Sequence, residues 1–561
     1  MPLSIPTCQW TLPEPTTNRT PLGDRLAELR GLTPDELDPR STSLHPPTLM
    51  IDLDLAVDRL RAAVESGKKI VVYGDYDVDG VCSTAIAVRG LRHVGADVEW
   101  MLPDRQRDGY GIKPAAVDRA HAAHDPKILV AVDNGTTQFD AVLRANELGM
   151  DVIILDHHQP RSQLPKAFAV VNPHRADCTY PFKTLTAAAV AFKVVQALCS
   201  SMVDDEFERK RFLASLLDLV ALGTVADVAP IRDENRIMVR RGLRRLAVDP
   251  RPGLLALLQV AGVGRRPITT TTLGFQIAPR LNAAGRLSTP DGALRLLLSD
   301  EHGEAMRLAS ELDKLNRERQ AQLESGLSDA RDQVASQLGD QSLLVARGEL
   351  WHLGVVGLLA GRLTEEYGRP TLVATNMRGD GVATASLRSI DGYNIAEAVD
   401  MCSDLLVEYG GHPGAAGLSV RDEMFDALRQ KMTAHAREKI SPDTLAKSLN
   451  IDAIVSAGDL SVAVIDDIDK RLAPFGEGNR EPVVMLPSAT IGAIHTLKDG
   501  AHLKLKLTVG GKSFDGLWWR RGDLADQLTA GTSVDVAGCL EVNEFRGEKT
   551  PQMVISDLRP A

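Results

Sequence analysis

The sequence predicts an α/β domain built on a parallel sheet, a long helix, a smaller α/β domain and a C-terminal all-β barrel. Short apolar runs such as "KIVVYG", "ILVAVDNG" and "DVIILDHH" alternate with helical segments between residues 46 and 235. This alternation is typical of a parallel sheet that is covered on both faces. From residue 455 onward, about five short strands alternate apolar and polar residues between turn residues, which predicts a small barrel such as an OB-fold.

Composition and pattern divide the 561 residues into six segments. The N-terminal residues are rich in proline, which predicts an irregular arm. A charged stretch from "EHGEAM" to "QVASQL" has no proline and carries apolar residues near helical spacing, which predicts a long connecting helix. The predicted boundaries are 1–45 for the arm, 46–235 for the first α/β domain, 236–340 for a helical region that contains the connecting helix, 341–425 for the second α/β domain, 426–454 for a linker and 455–561 for the barrel.

Charge and cysteine usage narrow the class of protein. The chain has 64 Lys and Arg against 75 Asp and Glu, a net charge of −11, which excludes a wholly basic surface but allows a local basic channel. The six cysteines have no C-x-x-C spacing, as expected for thiols in a reducing cytosol. No run of about 18 uncharged apolar residues is present, so we predict a cytoplasmic protein without a membrane span.

The stretch "VVYGDYDVDGVCST" places Asp75, Asp77 and Asp79 at alternate positions, followed by Gly80. Carboxylates this close repel one another unless a cation lies among them. An EF-hand loop fits poorly, because its twelfth position is Ile86 instead of glutamate and a strand precedes it. A phosphotransferase nucleophile of the haloacid-dehalogenase kind should follow the strand directly, whereas "GDY" intervenes here. That second alternative stays open on this stretch alone.

Other acids and imidazoles follow the neighbouring predicted strands. Ligands gather at the carboxyl ends of parallel strands, so we expect these side chains on one rim of the sheet. The set suits Mn²⁺ or Mg²⁺ and has too many carboxylates for one ion, which predicts a two-metal centre of the kind that hydrolyses phosphoesters. Asp133 is central in the set and is the candidate bridge. The residues are Asp133 in "VAVDNG", Asp156, His157 and His158 in "IILDHH", and Asp218 and Asp227 in "LDLVALGTVADVAP".

The combination of motifs resembles a known family. "DYDVDG", "VDNG", "LDHH" and "DLVALGTVAD" are similar to the four motifs of the DHH phosphoesterase superfamily. "PDRQRDGYG", "RLNAAGR", "WHLGVVGLLAGR", "SLRS", "GGHPGAAG" and "PFGEGNREP" are similar to motifs of its RecJ branch, the single-stranded-DNA-specific 5′→3′ exonucleases. The resemblance covers roughly residues 46–561 and excludes the dehalogenase alternative. It implies a parallel-sheet DHH domain, a DHHA1 domain and an OB-fold that binds single-stranded DNA.

The resemblance implies roles for the residues of the metal centre. Asp77 would hold one ion with Asp75 in support, and Asp133 would bridge the two ions. The second ion would be held by Asp79, His157 and Asp218. His158 would face the scissile phosphate or support the ligands, and Asp156 joins it as a catalytic candidate. Asp227 is expected to be structural or to support the ligands, and a ligand role for it stays open.

The substrate-binding candidates lie in the later motifs. A guanidinium pairs with phosphate oxygens through two hydrogen bonds, so Arg388 with Ser386 suits a terminal phosphate, and Arg105 could reach the same pocket. Ala385 departs from the glycine that is common in the family before this serine. His352 and His412 lie beside glycines, where the backbone can approach phosphate closely. The resemblance implies that Arg280 and Asn282 contact the DNA strand near the metals.

The barrel carries its own candidates. Lys504 and Lys506 alternate with leucines, which places the lysines on one face and the leucines in the core. Trp518, Trp519 and Phe545 offer stacking platforms for bases, although one of the two tryptophans is expected in the core. We therefore predict that Lys504, Lys506, Trp519 and Phe545 bind single strands without reading their sequence.

The resemblance implies a monomeric exonuclease that uses two Mn²⁺ or Mg²⁺ ions and degrades single-stranded DNA 5′→3′ to nucleoside 5′-monophosphates. It also implies work in DNA recombination and repair with a RecQ-type helicase and a single-strand-binding protein. Two alternatives remain. One is a DHH phosphodiesterase of short oligonucleotides or cyclic dinucleotides, which the barrel disfavours. The other is an inactive DNA-binding scaffold, which the intact acids disfavour.

Overall fold

The computed structural model describes residues 8–14, 20–38, 44–105, 107–109, 111–264, 266–339, 341–445 and 448–561. It confirms the predicted class, two α/β domains joined by a long helix and followed by a closed barrel. None of the helices in these ranges combines the length and apolar character that a membrane-spanning segment needs. The chain begins with three short elements, β1 (Gln9–Thr11), α1 (Leu22–Leu29) and α2 (Pro34–Leu37).

The first domain is a five-stranded parallel sheet with the order β3-β2-β4-β5-β6. Its central strands are apolar and fully buried, because helices cover both faces. A 3₁₀ turn at Pro47–Leu49 leads into this domain. Its elements are α3 (Leu53–Glu65), β2 (Ile70–Tyr73), α4 (Val78–His93), β3 (Val98–Met101), α5 (Pro114–His124), β4 (Ile128–Val132), α6 (Phe139–Glu147), β5 (Asp151–Leu155) and β6 (Ala169–Val171).

A helical region follows the sheet and packs on it. The segment "LDLVALGTVAD" belongs to a helix, and a π-helical turn at Leu273–Ile277 joins two later helices. The long connecting helix is present and continuous. These helices are α7 (Ala187–Met202), α8 (Glu206–Ala226), α9 (Asp233–Val248), α10 (Pro252–Val260), α11 (Thr270–Thr272), α12 (Ala278–Leu287), α13 (Asp291–Leu298) and α14 (His302–Ala335).

The second domain has a mixed sheet with the order β10-β11-β9-β8-β7. The glycine-rich "YGGHPGAAG" forms the hairpin of β10 and β11. The predicted boundary at residue 425 is too early, because Leu428, Met432 and Ala436 of the next helix are in the core of this domain. Its elements are β7 (Leu344–Gly348), α15 (Leu353–Tyr367), β8 (Thr371–Thr375), β9 (Val382–Arg388), α16 (Ile395–Asp400), β10 (Leu406–His412), β11 (Ala415–Arg421) and α17 (Phe425–Lys439), with 3₁₀ turns at Ser403–Leu405 and Asp422–Met424.

The C-terminal strands close into a five-stranded barrel in the order β14-β15-β16-β18-β17, with β17 pairing back to β14. The leucines at alternate positions of the second barrel strand are fully buried, as predicted. A helix packs beside the barrel. The elements are α18 (Pro442–Leu445), β12 (Ser448–Asn450), β13 (Ala453–Ile454), α19 (Val462–Leu472), β14 (Val484–Leu497), β15 (His502–Val509), β16 (Lys512–Trp518), β17 (Ser533–Phe545) and β18 (Glu548–Pro560), with a 3₁₀ segment at Gly522–Gln527.

The described part of the N-terminal segment is not the irregular arm that its prolines predict. β1 pairs in parallel with β12, and Leu22 and Leu26 of α1 are buried in the same core as the barrel. The fully buried Arg236 on α9 joins the parts, because it donates to the carbonyl oxygens of Glu36, Arg471 and Leu472 at 2.9, 2.8 and 2.7 Å. One guanidinium thus connects the N-terminal segment, the helical region and α19.

A buried ion pair fixes the start of α9 against α7. Lys193 and Glu234 are both fully buried and contact each other, and Glu234 also accepts from the hydroxyl of Tyr180. The Lys193 ammonium donates to the carbonyl of His45 at 2.8 Å. Burial lowers the pKa of Lys193, and the carboxylate of Glu234 opposes that shift.

Removing one partner of this pair should destabilise the protein more than removing both charges. We expect Lys193→Met to lower the free energy of unfolding by about 3–5 kcal/mol, because it leaves Glu234 charged and buried without its cation. The double variant Lys193→Met/Glu234→Gln should recover part of that loss. Scanning calorimetry of the two variants and the wild type checks this, and a double variant with the lower melting temperature would contradict it.

Candidate metal centre

Three neighbouring strands bring the predicted acids and imidazoles to one rim. β2, β4 and β5 are adjacent and parallel, so the residues that follow them meet at the carboxyl edge of the sheet. The ligand atoms form three linked groups, and within each group they lie within 4.8 Å of one another. The groups are Asp75, Asp77 and Asp133; Asp133, His157 and His158; and Asp79, His157 and Asp227.

Asp133, the predicted bridge, belongs to two of the three groups, and His157 links the third group to them. The Oδ1 atom of Asp133 lies 3.2 Å from Nε2 of His157 and 3.9 Å from Nδ1 of His158. Its backbone has a φ of 61°, a left-handed conformation that is uncommon for residues other than glycine and costs free energy. A hydrogen bond from its amide to the carbonyl of Leu155, 3.0 Å long, holds this conformation.

The centre concentrates negative charge in a buried place. Burial, and then the repulsion from neighbouring carboxylates, raises the pKa of Asp75, Asp79 and Asp133 well above the usual range. The same causes raise the pKa of Asp227 to about 7. Oδ1 of Asp75 and Oδ1 of Asp133 are buried and accept no hydrogen bond from the described residues. Oxygen atoms in this state fit hard divalent cations, which supply the missing positive charge.

Asp79 is held by the start of a helix. Its two oxygens accept hydrogen bonds from the amides of Ala187 and Ala188 at 2.7 and 3.1 Å, the first amides of α7. Gly223 of α8 lies so close that a β-carbon there would be 2.6 Å from Asp79 Oδ1. The glycine in "ALGTVAD" therefore makes room for this carboxylate.

The two histidines have opposite protonation. Burial, and the neighbouring charge of His158, lower the pKa of His157 to about 4, so His157 is neutral, as a metal ligand must be. For His158, burial acts in the same direction, but the hydrogen bond with Asp156 and the negative charges of Asp156, Asp227 and Asp77 together outweigh it and raise the pKa to about 9. His158 therefore carries a positive charge at neutral pH.

Asp156 positions this loop, because both of its oxygens accept hydrogen bonds. Oδ1 accepts from the amides of His157 and His158 at 2.8 and 3.1 Å and lies 2.8 Å from Nδ1 of His158. Oδ2 accepts from the amide of Thr136 at 3.1 Å. The catalytic role predicted for Asp156 is thus corrected to a positioning role.

The prediction that Asp218 is a ligand is wrong in this structure. Asp218 lies in the middle of α8, fully buried, and both of its oxygens accept from Arg251 at 2.6 and 2.9 Å. Asp227, the C-cap of the same helix, lies about 13.5 Å further along the axis and reaches His157 and Asp79. The signal for this was present, since "TVAD" ends an apolar helix as the other motifs end their strands.

A cavity of about 410 Å³ lies between Arg105 and Arg286 on one side and the second domain on the other. It is lined by the predicted Arg105, His352 and Ser386 and by Arg286, which the sequence analysis did not single out. Arg105 stacks on the ring of Tyr76 in the "DYDVDG" loop, 5.1 Å from its centre. Burial, and then the neighbouring arginines, lower the pKa of Arg286 to about 10, so it remains a cation. Its position at the end of "RLNAAGR" was the available signal.

The remaining substrate candidates of the second domain lie around this cavity. Arg388 and Ser386 both approach Gly357 of α15, where a β-carbon would be 3.4 Å from each. The exposed His412 pairs with Ala415, which pairs with Arg388, so the histidine and the arginine share one face of the sheet.

The two residues of α12 that were predicted to contact DNA differ in their surroundings. Arg280 is engaged by Asp313 at 2.9 Å and by the carbonyl of Gln276, so it ties α12 to α14 and is corrected to a structural role. Asn282 is half-buried on the same helix. Gly285 packs on the backbone of Tyr76, which places α12 beside the metal loop.

The two neighbouring tryptophans of the barrel differ in their exposure to solvent. Trp518 is buried with 3% exposure, whereas Trp519 is 47% exposed and Phe545 65% exposed. Lys504 and Lys506 both pair with Asp515 at 3.0 Å. Burial of Asp515 opposes its ionisation, yet the two lysines lower its pKa. The predicted lysine face is thus partly neutralised.

Two matched substitutions on α8 test which aspartate belongs to the centre. Asp227→Asn should abolish most of the rise in melting temperature that Mn²⁺ causes, because it removes an oxygen ligand, while the metal-free protein keeps its stability since a repelling charge is lost. Asp218→Asn should keep the Mn²⁺ effect and lower the melting temperature, because Arg251 loses its buried partner. Thermal unfolding with Mn²⁺ and with a chelator measures both. The reverse pattern would restore Asp218 as the ligand.

Known families and structures match these features in the same order. The profile of the "DHH family, N-terminal domain" matches residues 69–224, that of the "DHHA1 domain" matches 340–438, and that of the "RecJ OB domain" matches 451–557. The single-stranded-DNA-specific exonuclease RecJ of Salmonella typhimurium is 36% identical over 96% of this chain and 96% of its own length. The Bacillus subtilis protein of the same name is 34% identical over 96% of this chain and 68% of its own length.

Solved structures agree with the sequence relatives. The crystal structure of RecJ from Thermus thermophilus in complex with Mn²⁺ has a TM-score of 0.83 and 31% identity, over 99% of this chain and 80% of that chain. The complex with Mg²⁺ from the same organism has a TM-score of 0.77 and 30% identity, over 99% of this chain and 78% of that chain. The chain therefore belongs to the RecJ family of single-stranded-DNA-specific exonucleases.

Proposed function

We propose that this protein is a Mn²⁺- or Mg²⁺-dependent exonuclease that degrades single-stranded DNA 5′→3′ and releases nucleoside 5′-monophosphates. The observation that carries the proposal is a chain of three ligand groups, linked through Asp133 and through His157, together with a cavity lined by arginines. The family names support the activity, and the Mn²⁺ and Mg²⁺ complexes of the relatives support the choice of metal.

The residues present fit two divalent ions. Asp75, Asp77 and Asp133 would hold one ion, and Asp79, His157 and Asp227 would hold the other, with Asp133 facing both groups. When bound, two such ions activate water and stabilise charge on the phosphate oxygens during hydrolysis.

The histidines and the rim do the remaining work. His157 stays neutral and keeps a lone pair for a ligand role. His158 holds its proton against Asp156 and brings a positive charge beside Asp133, where a phosphate oxygen of the substrate would meet it. The buried helix start that fixes Asp79 keeps this carboxylate in place without metal.

The arginine-lined cavity would set the 5′→3′ direction of degradation. Arg105 and Arg286 line the cavity with Ser386, and Arg388 approaches Gly357 together with Ser386. Guanidinium groups bind phosphate oxygens through paired hydrogen bonds. A phosphate held there would be the 5′ end of the strand, which leaves the next phosphodiester bond at the metal centre. A phosphate bound in this way would direct removal of one nucleotide after another from the 5′ end.

The barrel would hold the rest of the strand. Trp519 and Phe545 are exposed aromatic rings, and rings of this kind stack with bases of any sequence. Duplex DNA keeps its bases stacked inside, so the platforms favour single strands. The same resemblance supports action in the cytoplasm as a monomer, in recombination and repair, with a RecQ-type helicase and a single-strand-binding protein.

The activity and its polarity can be tested with one set of substrates. We expect Mn²⁺-dependent release of mononucleotides from the 5′ end of a labelled single strand, and little from a matched duplex or a cyclic dinucleotide. Removing the 5′-phosphate should lower kcat/KM for the wild type by about tenfold or more, since bonds to charged groups are lost. In Arg388→Ala the same removal should have a much smaller effect, because the partner is already gone.

The control for this test is Arg429→Ala, an exposed arginine on α17 that pairs with Asp426. It removes one surface charge and should respond to the 5′-phosphate as the wild type does. Equal and additive losses from Arg388→Ala and from the missing phosphate would show that Arg388 does not contact the 5′ end.

The barrel gives a separate prediction. Trp519→Ala should weaken the binding of a long single strand by about fivefold or more, because one stacked base contributes about 1–3 kcal/mol. Asp515→Asn should strengthen binding and steepen its salt dependence, because it frees Lys504 and Lys506 for phosphates. Affinities are measured across a salt series with protein made inactive by Asp133→Ala. Unchanged binding in both variants would assign the barrel another role.

A further inference from the structure

The arginine-lined cavity extends beyond the place where a 5′-phosphate would bind. On the open face of the second sheet, Ser386 pairs with Gly417, which pairs with Gly410; we call these three residues the proximal row. Two residues further along each strand, Thr384 pairs with Ser419, which pairs with Glu408; these three are the distal row. All six residues line the same cavity.

The distal row lies on the side of Ser386 that is away from Arg388. Arg388 is two residues from Ser386 in the opposite direction, and the charge of Arg105 from the first domain acts on it. Arg286 in turn is close enough to Asp77 for that carboxylate to act on its pKa. The strands advance about 3.4 Å per residue, so the distal row lies about 6.8 Å beyond the proximal row.

The chemistry of the distal end suits an anion that is larger than one phosphate. Arg378, in the loop between β8 and β9, lines the cavity there with the hydroxyls of Thr384 and Ser419. Within the described chain, neither Arg378 nor Glu408 forms an ion pair with a neighbouring residue. Sites of about 300–1,000 Å³ hold whole small molecules, so 410 Å³ exceeds what a terminal phosphate needs.

We propose that the distal row accepts the outer phosphates of a single strand that carries a 5′-triphosphate. This inference rests on the proposed function, because the first phosphate would occupy the proximal row. The outer phosphates would then reach Arg378, Thr384 and Ser419. Mg²⁺ in proteins is commonly bound by one or two carboxylates together with substrate phosphates, which gives Glu408 a role beside a polyphosphate.

The reaction on such a strand needs only water. Water forms the new bond to the phosphorus of the second nucleotide, and the bond from that phosphorus to the 3′ oxygen of the first nucleotide breaks. The 3′ oxygen takes the proton. The first product is a nucleoside 5′-triphosphate with a free 3′-hydroxyl, and the two phosphoanhydride bonds stay intact. Strands with this end come from reactions that begin a chain from a nucleoside triphosphate without a primer.

The test compares three single strands of one sequence that carry a 5′-hydroxyl, a 5′-monophosphate or a 5′-triphosphate. For the wild type we expect degradation of the triphosphate strand with a nucleoside triphosphate as the first product, identified by chromatography. In Arg378→Ala, the ratio of kcat/KM for triphosphate over monophosphate should fall by about ten- to a hundredfold. In Arg429→Ala this ratio should equal that of the wild type.

The contrary outcomes distinguish failure of this inference from failure of the proposed function. Resistance of the triphosphate strand while the monophosphate strand is degraded would overturn the inference and leave the proposed function intact. An unchanged ratio in Arg378→Ala, or a first product of pyrophosphate or phosphate, would also overturn the inference. Failure to degrade either phosphorylated strand would instead contradict the proposed function.

Discussion

The structure depends on the repulsion among carboxylates that the fold brings together at the edge of one sheet. Asp75, Asp79, Asp133 and Asp227 are held where burial and mutual repulsion raise the pKa of each. A folded chain tolerates this arrangement only if other contacts hold the carboxylates in place and cations neutralise them. The left-handed backbone at one acid and the helix start at another are such contacts. The arrangement therefore destabilises the folded protein locally, but it holds the carboxylates in position to bind metal.

The sequence predicted the parts of the site that follow from strand topology. The acids of "DYDVDG", "VDNG" and "LDHH" come directly after apolar runs, and parallel strands must place such residues on one rim. It could not separate Asp218 from Asp227, because both lie in one apolar segment and only the helix phase and the partner Arg251 decide between them. A partner that is distant in sequence leaves no local pattern.

The same limit applies to the surface residues. Alternation correctly placed the leucines of β15 inside the barrel, but it could not show that Asp515 on the next strand pairs with both lysines. Arg280 matched the family motif and yet forms an ion pair with Asp313. Arg286, at the end of the same motif, lines the cavity instead. Composition also failed to predict the described part of the N-terminal segment, because its prolines suggested an irregular arm where a short strand and a helix complete the C-terminal domain.

The pairing of β1 with β12 also constrains how the chain can be made. Leu22 and Leu26 belong to a core whose members outside the N-terminal segment all lie beyond residue 450, so the two leucines leave the ribosome long before most of their neighbours exist. Throughout synthesis of both α/β domains, the apolar face of this helix lacks the C-terminal core that covers it in the folded protein. The C-terminal domain therefore completes its fold only after the last strands are released, and α1 is among the last helices to reach its native position although it is made first.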